Sequence, residues 1–359
     1  SFVTQEDIIQ LVEGLLISMF KAGLGTDVLR NFPRMTYQDA MDIYGSDKPD
    51  TRFEIKITDL AEVFANTEFK IFRSTIHGGG VVRAINAKGF ASITTGQMNR
   101  LNEIAVQAGL PVKNLAFIKL ENGGYKSPLW KIFTDSEKAS VTEQMDLAEG
   151  DIVFFAAGSR ESVSTILGRV RSECAVMMEL NKNSAKLNFL WVVDFPLLAH
   201  DEETGHWAAV HHPFTRPHPD DLEQLENGDY ANVRAVAYDV VLNGYELGGG
   251  SIRIHERDLQ AKMFSVLGVN EEEQQVKFGH LLDAFRFGAP PHGGLALGLD
   301  RIAMLVAGED SIREVIAFPK NNKGADLMAQ SPCQIEHKLL REVYVQSTYK
   351  DPKLIKEPS

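Results

Sequence analysis

The stretch Ala237-Tyr238-Asp239-Val240-Val241-Leu242-Asn243-Gly244-Tyr245-Glu246-Leu247-Gly248-Gly249-Gly250-Ser251-Ile252-Arg253-Ile254 decides the reading of the fold. Asn-Gly fits a two-residue hairpin turn because both central positions need positive φ, and here it separates two apolar runs. The turn pairs Leu242 with Tyr245 and Val241 with Glu246. Strict alternation then pairs Asp239 with Gly248. Asp239 and Glu246 fall on one face as diagonal neighbours, roughly 7–8 Å apart at Cα. Two carboxylates so placed can share a hard divalent cation, since Mg²⁺ takes one or two carboxylates plus phosphate oxygens. Two unrelated acids on a solvated face give the same pattern. Gly248 and Gly250 are expected beyond Glu246 on that face, and a glycine run in a strand marks a bulge, a kink or a close ligand approach.

Further along stands Gly294-Leu295-Ala296-Leu297-Gly298-Leu299-Asp300-Arg301. Small residues alternate with Leu, so one strand face packs and the other is bare. A bare face accommodates a flat ring such as adenine. Arg301 stands at a strand-to-helix junction, where a guanidinium can meet a phosphate. The alternative is a tightly packed strand followed by a surface Arg.

Upstream, Thr4 and Asp7 resemble a capping box. Ile8, Leu11, Leu15 and Met19, with Ile9, Val12, Leu16 and Phe20, recur at helical spacing, and Gly23 is the predicted stop. A second helix is predicted over Thr36–Tyr44, before the turn-rich Gly45–Asp50. Phe53, Ile55 and Ile57 alternate with polar residues and predict a strand. Thr95–Ala108 and Glu161–Leu180 read as helices, and Asp151–Phe155 as a buried strand. Phe189–Phe195 predicts a strand, Glu256–Leu267 and Glu271–Phe287 helices, and His292–Leu299 a strand running into a helix at Asp300. Four segments follow: 1–52, an independent mixed unit over 53–180, 181–345, and a loose polar tail over 346–359.

The bulk properties narrow the class. At 359 residues with 44% hydrophobic and 24% charged content, the chain is a globular protein of two or three domains. No apolar run is long enough to span a bilayer, so no membrane partner is expected. A net charge of −12 argues against a general nucleic-acid binder but leaves room for a local basic groove. Cys174 and Cys333 stand far apart, outside any CxxC pair. A zinc site and a disulfide framework are therefore not expected, and a reducing cytoplasmic location is. Ser1-Phe2-Val3 has no initiator Met and no signal-peptide pattern, so the sequence reads as starting inside something larger.

These motifs together resemble one family. Gly294–Arg301 is similar to motif 3 of class II aminoacyl-tRNA synthetases. Phe32-Pro33-Arg34-Met35-Thr36-Tyr37, Tyr44-Gly45-Ser46-Asp47-Lys48-Pro49-Asp50, Trp191-Val192-Val193-Asp194-Phe195-Pro196, His211-His212-Pro213-Phe214-Thr215, Ala237–Gly244, Glu246–His255 and Ile316-Ala317-Phe318-Pro319-Lys320 resemble the bacterial aspartyl-tRNA synthetases in particular. Residues 53–180 resemble their insertion, or GAD, domain. The resemblance implies an α+β fold: an antiparallel sheet of class II synthetase type flanked by helices, with the mixed α/β GAD-like domain inserted.

The resemblance also implies roles. Asp239 and Glu246 would hold ATP-bound Mg²⁺. Arg253 would grip the side-chain carboxylate of L-aspartate, and His212 would line that pocket. Arg301 would meet the ATP γ-phosphate, and Gly248, Gly249, Gly250 and Gly298 would make room for substrate and adenosine. The implied partners are ATP, L-aspartate and tRNA(Asp), in a homodimer. Arg253 lies seven residues after Glu246, so strict alternation sets them on opposite faces; the implied role requires a bulge near Gly248–Gly250. An N-terminal anticodon-binding barrel, motif 1, a mobile loop over the aspartate pocket and motif 2 are not legible in these residues. The chain is accordingly expected to be a C-terminal portion, inactive by itself. Two rival readings are a tRNA-independent aspartate-activating enzyme of asparagine synthetase type and a non-catalytic fragment that binds tRNA or protein.

Overall fold

Helix α1 (Gln5–Leu24) begins on the expected box: the Asp7 N–H donates to Thr4 Oγ1, and the Thr4 N–H donates back to the Asp7 carboxylate at 2.7 Å. It buries Ile8, Ile9, Val12, Leu16 and Phe20. The helix runs through Gly23 and ends at Gly25, whose φ of 66° is the left-handed cap. The expected stop is thus two residues early, because the residue that adopts positive φ sets the end. These elements belong to a computed structural model that describes residues 1–348, apart from 26, 29, 183–185 and 202.

Strand β1 (Arg34–Thr36) and helix α2 (Tyr37–Tyr44, capped by Thr36 and closed at Gly45) follow. The chain then builds a second sheet from β2 (Ile57–Asp59), β3 (Val81–Ala87), β4 (Ala116–Glu121), β5 (Gly124–Lys126) and β6 (Ile152–Gly158). Helices α3 (Lys70–His77), α4 (Thr95–Gln107), α5 (Asp135–Gln144) and α6 (Arg160–Met177) accompany it. Strand order is β2-β3-β6-β4-β5, antiparallel throughout. In β6, Ile152, Phe154 and Ala156 enter one core with Leu101, Ala105 and Val163, while Val153 and Phe155 enter another with Phe64, Phe72 and Val141. Burial on both faces explains why β6 reads as a continuous apolar run.

The chain returns through β7 (Phe189–Val193), β8 (Leu198–His200), β9 (Trp207–Ala209), α7 (Leu222–Asn227), β10 (Ala237–Leu242), β11 (Tyr245–Ile252), α8 (Arg257–Val266), α9 (Glu271–Phe285), β12 (Gly293–Leu297) and α10 (Leu299–Ala307). The first sheet has the order β1-β7-β10-β11-β12; β1 runs parallel to β7 and the other pairs are antiparallel. Helix α1 lies against the face that carries Trp191. Its buried Glu13 accepts the Trp191 Nε1–H at 3.0 Å and the N–H groups of Asn31 and Phe32 at 3.1 and 3.2 Å. On the other face Ala40 of α2 packs with Val192, Ala237 and Val241. That cover lies over β7 and β10.

The chain divides into two compact units, residues 1–302 and 303–359. The second contains a 3₁₀ turn (Ile312–Glu314) and α11 (His337–Glu342). Of the expected loose tail, 346–359, residues 349–359 lie outside the described residues. No helix among the described residues is long and apolar enough to cross a membrane.

Candidate active site

The hairpin forms with the turn the sequence predicts, Leu242 opposite Tyr245 and Val241 opposite Glu246. Beyond that pair the register shifts. Val240 faces Gly248, and Asp239 faces Gly249 rather than Gly248. Leu247 is the extra residue of a β-bulge, with its side chain fully buried and its carbonyl accepting the Gly298 N–H at 2.7 Å. A bulge reverses the faces of everything after it. Gly249, Ser251 and Arg253 therefore join Asp239 and Glu246 on one face. The required bulge exists, one residue earlier than the glycines. The expectation that Gly248 and Gly250 share the acidic face is corrected: they face the other side, opposite Leu297 and Leu295.

Gly249 lies between the two acids. A Cβ added there would collide with Asp239 Oδ1 and stand 3.6 Å from Glu246 Oε1. Next to it, Ala296 and Gly294 of β12 continue the face, both exposed, with open space above Gly294. The result is a flat floor of small residues beside two carboxylates. Gly298 closes the strand, 3.6 Å by its added Cβ from Arg301 Cδ.

Burial pushes the Asp239 carboxyl up to about 7, reinforced by Glu246 and then by Asp47, with Lys48 opposing. Two acids that repel in a half-buried site favour either a shared proton or a cation. Among the described residues no cluster of three or more His, Cys, Asp or Glu side chains is arranged for a metal. The pair alone is a donor set for a cation whose remaining ligands are waters and phosphate oxygens, which suits Mg²⁺. Arg301 Nη1 donates to the Glu246 carbonyl at 2.7 Å and stands 3.6 Å from Glu246 Oε2.

At the far end of the face Arg253 Nη1 meets His212 Nδ1 at 2.9 Å. The Phe214 N–H donates to the same nitrogen at 3.1 Å. An Arg has only donors, so His212 Nδ1 must be an acceptor and the ring proton sits on Nε2. Burial, then Arg253, then His211 hold the His212 ring down to about 4, which keeps it neutral. Burial also lowers the Arg253 guanidinium somewhat. A cavity of about 410 Å³ opens here, lined by His212, Phe214, Arg253, Leu281, Phe285 and His292 among others. Behind it Tyr238 donates its hydroxyl to the Gly294 carbonyl at 3.0 Å, and burial pushes that phenol up to about 12.

The structure thus brings Asp239, Glu246, Gly249, Arg301, Arg253 and His212 to one face. Asp47 and Lys48, paired at 2.8 Å, act electrostatically on Asp239, a role the turn-rich composition of their loop did not reveal. Fully buried Gln260 of α8 donates to the Pro213 carbonyl at 2.9 Å and braces the loop carrying His212. A lone glutamine on a helix gives no sequence signal for that.

A five-stranded, mostly antiparallel sheet with carboxylates and arginines on one bare face is the arrangement of class II aminoacyl-tRNA synthetases. The family described as tRNA synthetases class II (D, K and N) matches residues 1–322, and the chain belongs to it. The chain is 49% identical over 352 residues to the aspartate–tRNA(Asp/Asn) ligase of Opitutus terrae, covering 97% of this chain and 59% of that protein. It is 47% identical over 344 residues to the aspartate–tRNA ligase of Staphylococcus carnosus, covering 96% of this chain and 58% of that protein. Among solved structures, the asparaginyl-tRNA synthetase of Entamoeba histolytica bound to asparaginyl-adenylate matches at 16% identity and a TM-score of 0.39, covering 90% of this chain and 46% of that one. The chain spans just under three-fifths of the length of these curated relatives.

Proposed function

We propose that this chain carries one part of an aspartate–tRNA ligase active site, the part that binds the carboxylate side chain of L-aspartate and the metal-bound phosphates of ATP. One observation carries the reading: the bulge at Leu247 turns Arg253 onto the face of Asp239 and Glu246. An amino-acid carboxylate held at Arg253 and a nucleotide held at the acids would then lie on one floor.

Arg253 has one Nη engaged by His212. Its remaining N–H groups can donate in parallel to a carboxylate. The neutral His212 offers a further donor at Nε2. Asparagine is nearly the same size, but its amide would aim N–H donors at a group with no acceptor. The floor of Gly249, Gly294 and Ala296 takes the adenine ring, and Arg301 takes the terminal phosphate. Asp239 and Glu246 would hold Mg²⁺, which when bound neutralises charge on the phosphate oxygens. The aspartate α-carboxylate then attacks the α-phosphorus, giving aspartyl-adenylate and releasing pyrophosphate. In a second step the terminal ribose hydroxyl of tRNA(Asp) attacks the acyl carbon and AMP leaves. The contribution of these residues is placement and charge stabilisation.

The test is L-aspartate and ATP binding by the 359-residue chain, followed by calorimetry. Binding that is lost in Arg253→Ala for aspartate and in Glu246→Gln for Mg·ATP supports the reading. Wild-type affinity for both ligands in both variants would sink it.

A further inference from the structure

Helix α6 packs on the second sheet, yet it also touches the segment that leaves α2 and lies against the turn of the carboxylate hairpin. Gly45 closes α2 at a φ of 66° and lies directly on Gly168 of α6. A Cβ added at Gly168 would stand 2.7 Å from the Gly45 carbonyl carbon and 2.8 Å from its Cα, distances that side chains do not adopt. Three residues on, Arg171 is 1% exposed. Its hydrogen bonds go to main-chain carbonyls, while the Asp50 and Glu54 carboxylates act on it from further off. Its Nη2 donates to the Asp50 carbonyl at 2.6 Å and its Nε to the Ile55 carbonyl, while the guanidinium lies 4.9 Å from the Tyr44 ring centre and 4.1 Å from that of Phe53.

The segment so held, residues 45–52, rests on the hairpin turn. Asp50 Cβ is 3.2 Å from the place a Cβ on Gly244 would occupy. Asn188 joins the two, its Nδ2 donating to the Thr51 carbonyl at 3.0 Å and its backbone N–H to Asn243 Oδ1 at 3.0 Å. Arg52 holds Asp50 with a bidentate pair, Nε donating to Oδ1 at 2.9 Å and Nη2 to Oδ2 at 2.6 Å, and its Nη1 donates to the Asn181 carbonyl at 2.7 Å. The loop is therefore clamped between α6 and the turn from which β11 carries Glu246, and it carries Asp47 and Lys48, whose charges act on Asp239.

We propose that Gly168 and Arg171 are positioning residues for the Asp239–Glu246 pair, acting through the loop 45–52 that α6 presses onto the Asn243–Gly244 turn. The inserted unit is on this account a brace for the metal-binding hairpin. The proposal rests on the reading of Asp239 and Glu246 as a cation site.

Hydrogen–deuterium exchange and Mn²⁺ titration by electron paramagnetic resonance on the full 359-residue chain test it. Gly168→Ala inserts one methyl at the contact. Arg171→Lys keeps the charge but loses the planar fork. Gly96→Ala, in α4 of the same unit where a Cβ has room, is the control. Both brace variants are expected to exchange at least about fivefold faster in 45–52 and 241–247, with β3 and β6 unchanged, and to bind Mn²⁺ at least about threefold more weakly; the control should match wild type. Arg171→Lys carries the test if Gly168→Ala does not fold. Unchanged protection at the turn, or a uniform loss across both sheets, would overturn the positioning role. Asp239→Asn and Glu246→Gln, titrated alongside, separate the two ideas. If they keep Mn²⁺ affinity, the cation reading fails by itself, whereas the exchange pattern still reports on the brace.

Discussion

Arg301 Nη1 donates to the main-chain carbonyl of Glu246 at 2.7 Å while standing 3.6 Å from its carboxylate. Arg301, in the first turn of α10, thereby places a fixed positive charge beside the proposed cation site. The consequence is opposite for metal and nucleotide. Arg301→Ala removes a repelling charge and is expected to tighten Mn²⁺ binding in the absence of nucleotide by roughly twofold to fivefold. The same change removes a phosphate partner and should weaken ATP binding by about tenfold. Titrations of the two ligands, run separately, check this; parallel effects on both would contradict the placement.

Gly249 is the residue the two acids need between them. Gly249→Ala drives a methyl onto Asp239 Oδ1. The expected result is a chain that folds, with Mn²⁺ affinity lowered by about tenfold or more, on the scale of losing a group that orients a metal ligand. Gly14→Ala, at a site with open space, should leave Mn²⁺ binding unchanged.

Titration of the site has two opposing parts. Asp239, raised to about 7, binds its proton more tightly folded than unfolded, so its contribution to stability is present at low pH and falls as pH rises from about 4 to 7. His212, lowered to about 4, favours the neutral ring in the fold; its contribution is lost as pH falls from about 6.5 to 4. The two slopes partly cancel in the wild type. Asp239→Asn is expected to remove the falling part and make the chain more stable at pH 7.5 than wild type, by on the order of 1–2 kcal/mol after solvent screening. Urea unfolding at pH 5 and 7.5 measures it. A wild type more stable than Asp239→Asn at pH 7.5 would contradict the assigned shift.

How far the sequence carries this account depends on what each feature writes into it. The Thr4–Asp7 box, the Asn243-Gly244 turn and the alternation in β12 are local and were legible. The glycine run leaves a bulge as one of several readings, and the role that resemblance gives Arg253 requires one. Leu247 is an ordinary apolar residue, and nothing in its identity says that two residues there oppose one. The Phe53–Ile55–Ile57 alternation predicts a strand, yet β2 begins only at Ile57. Phe53 and Ile55 are buried as expected, but their carbonyls accept from Arg171, a residue more than a hundred positions away. The His212–Arg253 contact likewise joins residues that only the folded sheet brings together.

The second sheet closes its own cores. Both clusters that flank it are drawn from residues between Phe53 and Ala175. A fragment spanning 53–180 is therefore expected to fold separately, with a mixed α/β circular dichroism spectrum and a cooperative thermal transition. A random-coil spectrum would contradict a separately folding unit with these boundaries.

Arg253 is proposed to select aspartate over asparagine. Its guanidinium is oriented by His212 and faces a cavity of about 410 Å³. Loss of one partner of such a charge pair costs on the order of 2–5 kcal/mol, and a polar-pairing site rejects a mismatched analogue by roughly 10⁴-fold. The measurement is ATP–pyrophosphate exchange with L-aspartate and with L-asparagine, in a full-length aspartate–tRNA ligase that contains this chain. Arg253→Ala and Arg253→Lys are each expected to lower kcat/KM for aspartate by at least about a hundredfold and to narrow the gap to asparagine. Wild-type preference for aspartate in both variants would contradict the account.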